Sequence, residues 1–376
     1  MIDRRLINNF DWLLLMVVLI IASIGVLNLY SATFSTFGGT GQKIYVKQIY
    51  WVIMGLCCMI ASLSFDYHKF QSYAYPAYFI NLFFLVVVLV IGRAISGSQR
   101  WINLGFFSYQ PSESMKVILI MVLAKYFCLN EIKDGYSLRD LITPAFLVLM
   151  PAVLILKEPD LGSAFILVLL SGIMFLYVRI KWKTIALISI SGIAAAPVAW
   201  HFMKDYQRNR ILTFMSPDND PLGAGYHIIQ SKIAVGSGQF WGKGFLKGTQ
   251  SQLKFLPEQH TDFAFSVLAE EWGLMGSLVL ILLFLILVLW GLNIAQRSRD
   301  QYGNMLAFGV VSYLFLEIVI NVGMVTGVLP VVGIPLPLIS YGGSSVISTM
   351  ISLGILMNIS MRRFIFHSAG SEQETS

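Results

Sequence analysis

Apolar stretches of roughly 20 residues, the length a helix needs to cross the hydrocarbon core of a bilayer, recur along the whole chain. Their approximate limits are 11 to 30, 47 to 64, 73 to 92, 113 to 130, 141 to 156, 160 to 178, 184 to 203, 271 to 295, 304 to 328 and 343 to 361. This pattern predicts an all-α polytopic membrane protein with about ten transmembrane helices, organised as a single membrane domain over residues 1–376. The fifth and sixth stretches are separated only by Lys157-Glu-Pro-Asp160. They therefore form a tight hairpin, and Pro159 fixes its break because proline lacks the donor that a helix interior requires. The one long polar interruption, residues 204–270, falls between the seventh and eighth stretches.

An even number of crossings puts both termini on one side, and the placement of positive charge chooses the side. Short loops with excess Lys and Arg stay cytoplasmic. With the N-terminus inside, the inner segments carry Arg4, Arg5, Lys69, Lys133, Arg139, Arg179, Lys181, Lys183, Arg297, Arg299, Arg362 and Arg363. The short outer loops carry only Lys43, Lys47, Arg93, Arg100 and Lys157. The expected topology is N-in and C-in, which makes 204–270 a large extracytoplasmic loop carrying the polar chemistry.

Composition narrows the class further. The chain is 56% hydrophobic and 12% charged, about half the charged fraction of soluble domains. Cys57 and Cys58 are adjacent in an apolar run and Cys128 also lies at membrane depth, so no disulfide framework or redox role is expected. Arg4 and Arg5 before Leu13 to Leu29 resemble a signal peptide, but the apolar run is too long and no small-residue cleavage site follows. It reads as a retained first span. The net charge of +6 flanks spans instead of clustering on a soluble face, so nucleic acid is not an expected partner. No internal repeat argues for an inverted-repeat transporter.

The candidate chemistry lies in the outer loops. In the loop after the third span, Arg100 and Trp101 precede Pro111, Glu113 and Lys116. Pro111 suits a first helical turn, and the spacing of Glu113 and Lys116 puts them on one face of the fourth span's outer end. They could be a self-neutralised helix start, with Arg100 a surface charge and Trp101 an interfacial anchor; ionisable groups at membrane depth equally mark a site.

The long loop holds Arg208 and Arg210, then a short amphipathic helix over Tyr226 to Val235 with Gln230 and Ser231, then a Gly-rich segment from Gly236 to Gly248 with Lys243 and Lys247. Glycine permits close backbone approach and lysine supplies counter-charge, which fits a phosphate-bearing ligand; a flexible interfacial loop fits the same composition. No P-loop spacing and no H-E-x-x-H metal motif occurs.

Asp262 ends this segment, before Phe263, Phe265, Val267 and Leu268, which are expected to dip into the interface ahead of Glu270 and Glu271 at the opening of the eighth span. An acid beside apolar surface resists ionisation and suits general-base work. Asp262 could also be a helix N-cap, and Glu270 and Glu271 favourable helix-start acids. The stretch Gly327 to Ser345 is uncharged and holds Pro330, Pro335 and Pro337. Such non-helical backbone must be buried in protein or line a wet cavity.

Several motifs occur together: Gly97-Ser-Gln-Arg-Trp101, Gln110-Pro-Ser-Glu113, Pro159-Asp-Leu-Gly162, Gly236-Ser-Gly238 with Gly242-Lys-Gly244, Thr261-Asp-Phe263, and Pro335-Leu-Pro337 with Ser340-Tyr-Gly-Gly-Ser-Ser345. In this combination the chain resembles the SEDS family, the shape, elongation, division and sporulation membrane proteins of bacteria, from the first span to the last. Phe10-Asp-Trp12, the short termini and Ala269-Glu-Glu-Trp-Gly273 favour its elongation branch over its division branch.

The resemblance implies a peptidoglycan glycosyltransferase of the bacterial cytoplasmic membrane that polymerises lipid II into a glycan strand on the outer side, working with a class B penicillin-binding transpeptidase among membrane lipids. It implies Asp262 as the essential catalytic acid, with Trp101, Glu113 and Lys116 also functionally important as substrate-binding residues, Lys116 together with loop arginines or lysines offsetting the charge of the leaving diphosphate. Loop composition and approximate motif placement add Arg100, Arg208, Arg210, Gln230, Ser231 and Lys243 as candidate substrate contacts. Asp262 would act as general base with undecaprenyl diphosphate as leaving group; no protein metal site is expected, although a divalent cation, Mg or Mn, could offset the diphosphate charge. A lipid-precursor flippase would need a hydrophilic passage, whereas only Glu317 lies near the midplane. A non-catalytic scaffold for a transpeptidase would not need Asp262 beside a basic, Gly-rich loop.

Overall fold

A computed structural model describes residues 10–34, 44–95, 98–103, 105, 108–203, 205–216, 223–253, 255–256 and 258–362. Arg4, Arg5, Lys43, Gly97, Pro217, Pro221 and Arg363 lie outside the described residues. Thirteen helices are present among those described: α1 (Trp12–Thr33), α2 (Ile44–Ser64), α3 (Tyr67–Ile91), α4 (Pro111–Leu129), α5 (Leu138–Lys157), α6 (Leu161–Tyr177), α7 (Trp182–Phe202), α8 (Asp205–Met215), α9 (Ala224–Ser237), α10 (Thr249–Gln252), α11 (Ala264–Gln296), α12 (Gln301–Val325) and α13 (Gly343–Arg362).

Each of the ten apolar stretches falls on one of these helices. Seven of them, α1, α2, α3, α5, α11, α12 and α13, are long and apolar enough to cross a membrane, and Leu161–Tyr177 and Trp182–Ala195 are shorter apolar helices.

Polar residues at the boundaries do the starting and stopping. Asp11, Asp66, Asp160 and Asp300 each cap a helix by accepting a backbone N–H from its first turn. Ser137 and Asp140 form a reciprocal capping box ahead of α5, which satisfies donors that no carbonyl within the helix can reach. Burial then sorts the bundle: 78% of the apolar window in α12 and 89% of that in α13 is buried, against 17% in α2. The first two form the centre, and α2 packs on α13 while leaving most of its other side chains at the surface.

Two regions depart from the predicted pattern. The connection between α3 and α4 contains a small antiparallel sheet, β1 (Arg93–Ile95), β2 (Ser98–Asn103) and β3 (Ser108–Tyr109), in the order β1-β2-β3. Arg93 is opposite Trp101, Ala94 opposite Gln99 and Ile102 opposite Tyr109, with a register shift between Arg93 and Ala94. These strands are too short for an alternation signal.

The eighth span also begins earlier than expected, at Ala264, and breaks at Gly273, whose φ is 64°. Glu270 and Glu271 are therefore buried inside a helix and do not open one. The break is closed by the Gly-rich loop. Lys243 N and Gly244 N donate to the carbonyls of Glu270 and Glu271 at 3.0 and 2.9 Å, while Leu274 N and Met275 N donate to Gln239 O and Phe240 O at 2.9 and 3.2 Å. A Cβ on Gly242 would stand 2.1 Å from the Glu271 oxygen, and one on Gly238 would stand 2.0 Å from that of Ala269. These glycines give close approach to the broken helix.

Candidate functional site

Asp262 sits in a turn over 258–263 immediately before α11. Within it Thr261 N donates to Glu258 O at 3.1 Å, and the turn is held from outside by Tyr341 N on His260 O at 2.8 Å and Ser340 Oγ on Thr261 O at 2.6 Å. Asn321 of α12 donates to Asp262 O at 3.0 Å and to Ile334 O at 2.7 Å. The uncharged stretch 327–342 thus walls the site, as its prolines and glycines predict. Gly333 has φ 75°, and a Cβ there would stand 3.2 Å from Asp262 Oδ2. The N-cap of α11 is Phe263 and receives no side-chain bond, so Asp262 is not a capping residue. Its carboxyl is partly buried. Burial pushes it up to about 6, Glu258 and, more weakly, Asp160 add to the rise, and Arg100 and Arg210 pull the other way.

Arg100 reaches this cluster from β2. Its Nη2 donates to Pro159 O at 2.6 Å and its Nη1 stands 3.6 Å from Asp160 Oδ1. Asp160 is in turn committed to the start of α6, accepting from Ser163 N at 3.1 Å, Ser163 Oγ at 2.8 Å and Gln110 Nε2 at 3.4 Å. Two residues before it, Glu158 is buried with both carboxyl oxygens unpartnered. Burial, then the Asp160 charge, raise its carboxyl to about 8, against the pull of Arg100.

A second cluster lies deeper. Lys116 Nζ donates to Glu113 Oε1 at 2.8 Å and to Glu317 Oε1 at 2.6 Å, over the ring of Tyr313. Lys116, Glu113 and Glu317 are 1%, 4% and 0% exposed. The two clusters are joined through α12, because Glu317 and Asn321 are four residues apart, about 6 Å along the helix.

The remaining predicted contacts disperse. Arg208 donates to the carbonyls of Trp200 and His201 at the end of α7. Ser231 is buried between Ser266 Oγ at 2.9 Å and Val325 O at 2.7 Å. Gln230 is half-buried beside it on α9. Lys243 pairs with buried Glu270 at 2.7 Å, which also accepts from Thr249 and from Gln250 N. Trp101 is half-buried on β2.

Sequence reasoning passed over Glu158 beside Arg100 and Glu317 as the partner of Lys116, and it carried Asp160 and Gln110 only as members of motifs with no assigned contact. The signal for Glu158 was an acidic hairpin break and that for Glu317 a mid-span glutamate. Among the described residues no group of three or more His, Cys, Asp or Glu side chains could hold a metal ion.

A profile of the FtsW/RodA/SpoVE family, described as cell cycle proteins, matches residues 11–364. The chain is 43% identical over 331 residues to the peptidoglycan glycosyltransferase MrdB of Escherichia coli (strain K12), covering 87% of this chain and 89% of that protein. Among solved structures it is similar to a chain of a peptidoglycan synthase complex described as coordinating polymerization and crosslinking, with a TM-score of 0.80, 29% identity, and 95% and 99% of the two chains covered. It is also similar to the rod shape determining protein RodA of Thermus thermophilus, with a TM-score of 0.70, 28% identity, and 94% and 98% covered.

Proposed function

The chain belongs to the FtsW/RodA/SpoVE family of cell cycle proteins, and on that premise we propose that it is a multi-pass membrane peptidoglycan glycosyltransferase with Asp262 as its general base. The observation that carries the residue assignment is the pairing of a turn fixed at three backbone carbonyls, His260, Thr261 and Asp262, with a carboxyl pushed up to about 6. A base whose proton affinity approaches the working pH is both ionised and able to take a proton in the transition state.

The substrate is lipid II, approached from the extracytoplasmic side of a ten-span, N-in and C-in bundle. Asp262 takes the proton from the C4 hydroxyl of the acceptor N-acetylglucosamine. That oxygen forms its bond to the anomeric carbon of the donor N-acetylmuramic acid as the bond to undecaprenyl diphosphate breaks, with inversion. The leaving group departs with the electron pair as an anion. Arg100 and Arg210, the two cations whose charge reaches Asp262, stabilise it. Glu113, Lys116 and Glu317 hold α4 against α12 beneath the base and position it without touching the reacting atoms. Crosslinking of the product falls to a class B transpeptidase partner, in keeping with the synthase complex that this chain resembles.

The test is polymerisation of labelled lipid II by purified protein, alone and with the partner. Asp262→Asn keeps the shape and removes the proton acceptor, so the rate should fall by about a hundredfold or more while lipid II binding persists. Undiminished polymerisation by the folded variant removes Asp262 from the mechanism.

A further inference from the structure

The Arg100 guanidinium is held at two of its three nitrogens and not at the third. Nη2 and Nη1 face Pro159 O and Asp160, whereas Nε is buried without a partner. Glu158, in the same four-residue turn, is 1% exposed and has two carboxyl oxygens without a partner. A buried donor and a buried acceptor left unmade are each unfavourable; the guanidinium is held by Pro159 O and Asp160 of the turn that also carries Glu158, and the two charges act on each other. The charged groups that act on Glu158 are Asp160 in its own turn and Arg100 on β2. Asp160 cannot relieve it, being already occupied by Ser163 and Gln110.

We propose that Glu158 is a positioning residue for the reaction: as a neutral acid it leaves Arg100 facing Asp262 and the departing diphosphate, and once ionised it captures the free Nε–H and takes Arg100 out of service. The inference rests on the glycosyltransferase reading above. In a poorly hydrated turn the attraction is strong, and a guanidinium shared between two carboxylates has less charge to offer a third anion. Burial, then the Asp160 charge, push the Glu158 carboxyl up to about 8, above the value of about 6 to which burial pushes Asp262, so the loss at high pH is of leaving-group stabilisation and not of the base.

The pH profile of lipid II polymerisation by the full chain in lipid vesicles tests this. The parent should lose rate on the alkaline side with a midpoint near pH 8, reaching about tenfold one pH unit above it. Glu158→Gln, permanently neutral, should keep its rate there and retain the acid limb set by Asp262. Glu158→Met, neutral and apolar, should do the same if glutamine folds poorly. An alkaline limb unchanged in both variants, or a loss equal at every pH, overturns the proposal. Infrared titration of the parent supplies a readout independent of turnover: a carboxylic acid band, absent from Glu158→Gln, should vanish near pH 8 and shift in Arg100→Lys. A band that is missing at pH 7 also overturns it. A parent that polymerises no lipid II defeats instead the activity on which the proposal rests, a result distinct from a polymerising parent whose limb Glu158 does not control.

Discussion

The cluster around Lys116 and the cluster around Asp262 lie about one helical turn apart on α12, use the same residue types, and treat charge in opposite ways. In the inner one, a lysine bonds two carboxylates at 2.8 and 2.6 Å and all three side chains are sealed from solvent. In the outer one, the charges act on Asp262 through space and its side chain remains partly exposed, while each cluster leaves buried carboxyl oxygens unpartnered, Glu113 Oε2 and Glu317 Oε2 in the inner one and those of Glu158 in the outer one. A closed network fixes helices to each other; an open one keeps groups available to a substrate. The difference is one of stability against readiness, and mutation should separate the two.

The largest effect should come from opening the closed network. Lys116→Met leaves two buried carboxylates without their cation, which should cost about 3–5 kcal/mol of stability and be visible as a large drop in the thermal unfolding midpoint. An unchanged midpoint would make the inner cluster no more structural than the outer one. Next comes the loop that closes the break in α11. Gly242 has φ 79° and a Cβ there meets the Glu271 oxygen at 2.1 Å, so Gly242→Ala should cost on the order of 1–3 kcal/mol. Proteolysis should then cut the 239–248 segment faster than in the parent.

The smallest effect has the opposite sign. The folded-state pKa of Asp262 is raised above its ordinary value, so the folded protein binds a proton more tightly than the unfolded chain and loses stability as pH rises from about 4 through about 6. Asp262→Asn removes that loss and should stabilise the protein at pH 8 by on the order of 1 kcal/mol, allowing for partial exposure. The gain should disappear at pH 4. Over the same window the parent's polymerisation rate should fall as pH drops through about 6, because the base becomes protonated. A rate that is level between pH 5 and pH 7 would deny Asp262 that role.

Much of this was legible in the chain. The ten apolar stretches meet ten helices because a bilayer enforces one length and one composition on whatever crosses it. Asp262 stood out because an acid between a polar loop and an apolar helix start has few neighbours in sequence to explain it. The pairing of Lys116 with Glu317 was not legible, since the two are 201 positions apart and sequence spacing is silent on contacts between helices. The glycines from 236 to 248 announced close approach, and Gly238 and Gly242 make it to the backbone of α11. The pairing of Lys243 with Glu270 was not legible, because a buried Glu270 looks in sequence like a helix-start acid. Arg208 serves the end of α7, and no local pattern separates that use from ligand binding.

The break at Gly273 bears on how the protein is made. Backbone groups left unpaired in hydrocarbon are expensive, and the four exposed here are matched by residues 239, 240, 243 and 244. Those residues precede α11 in the chain, so during synthesis they leave the ribosome before the helix they complete. The splint is therefore already synthesised when the broken span arrives, and biogenesis in this order never requires the break to wait unpaired for a segment still to be translated.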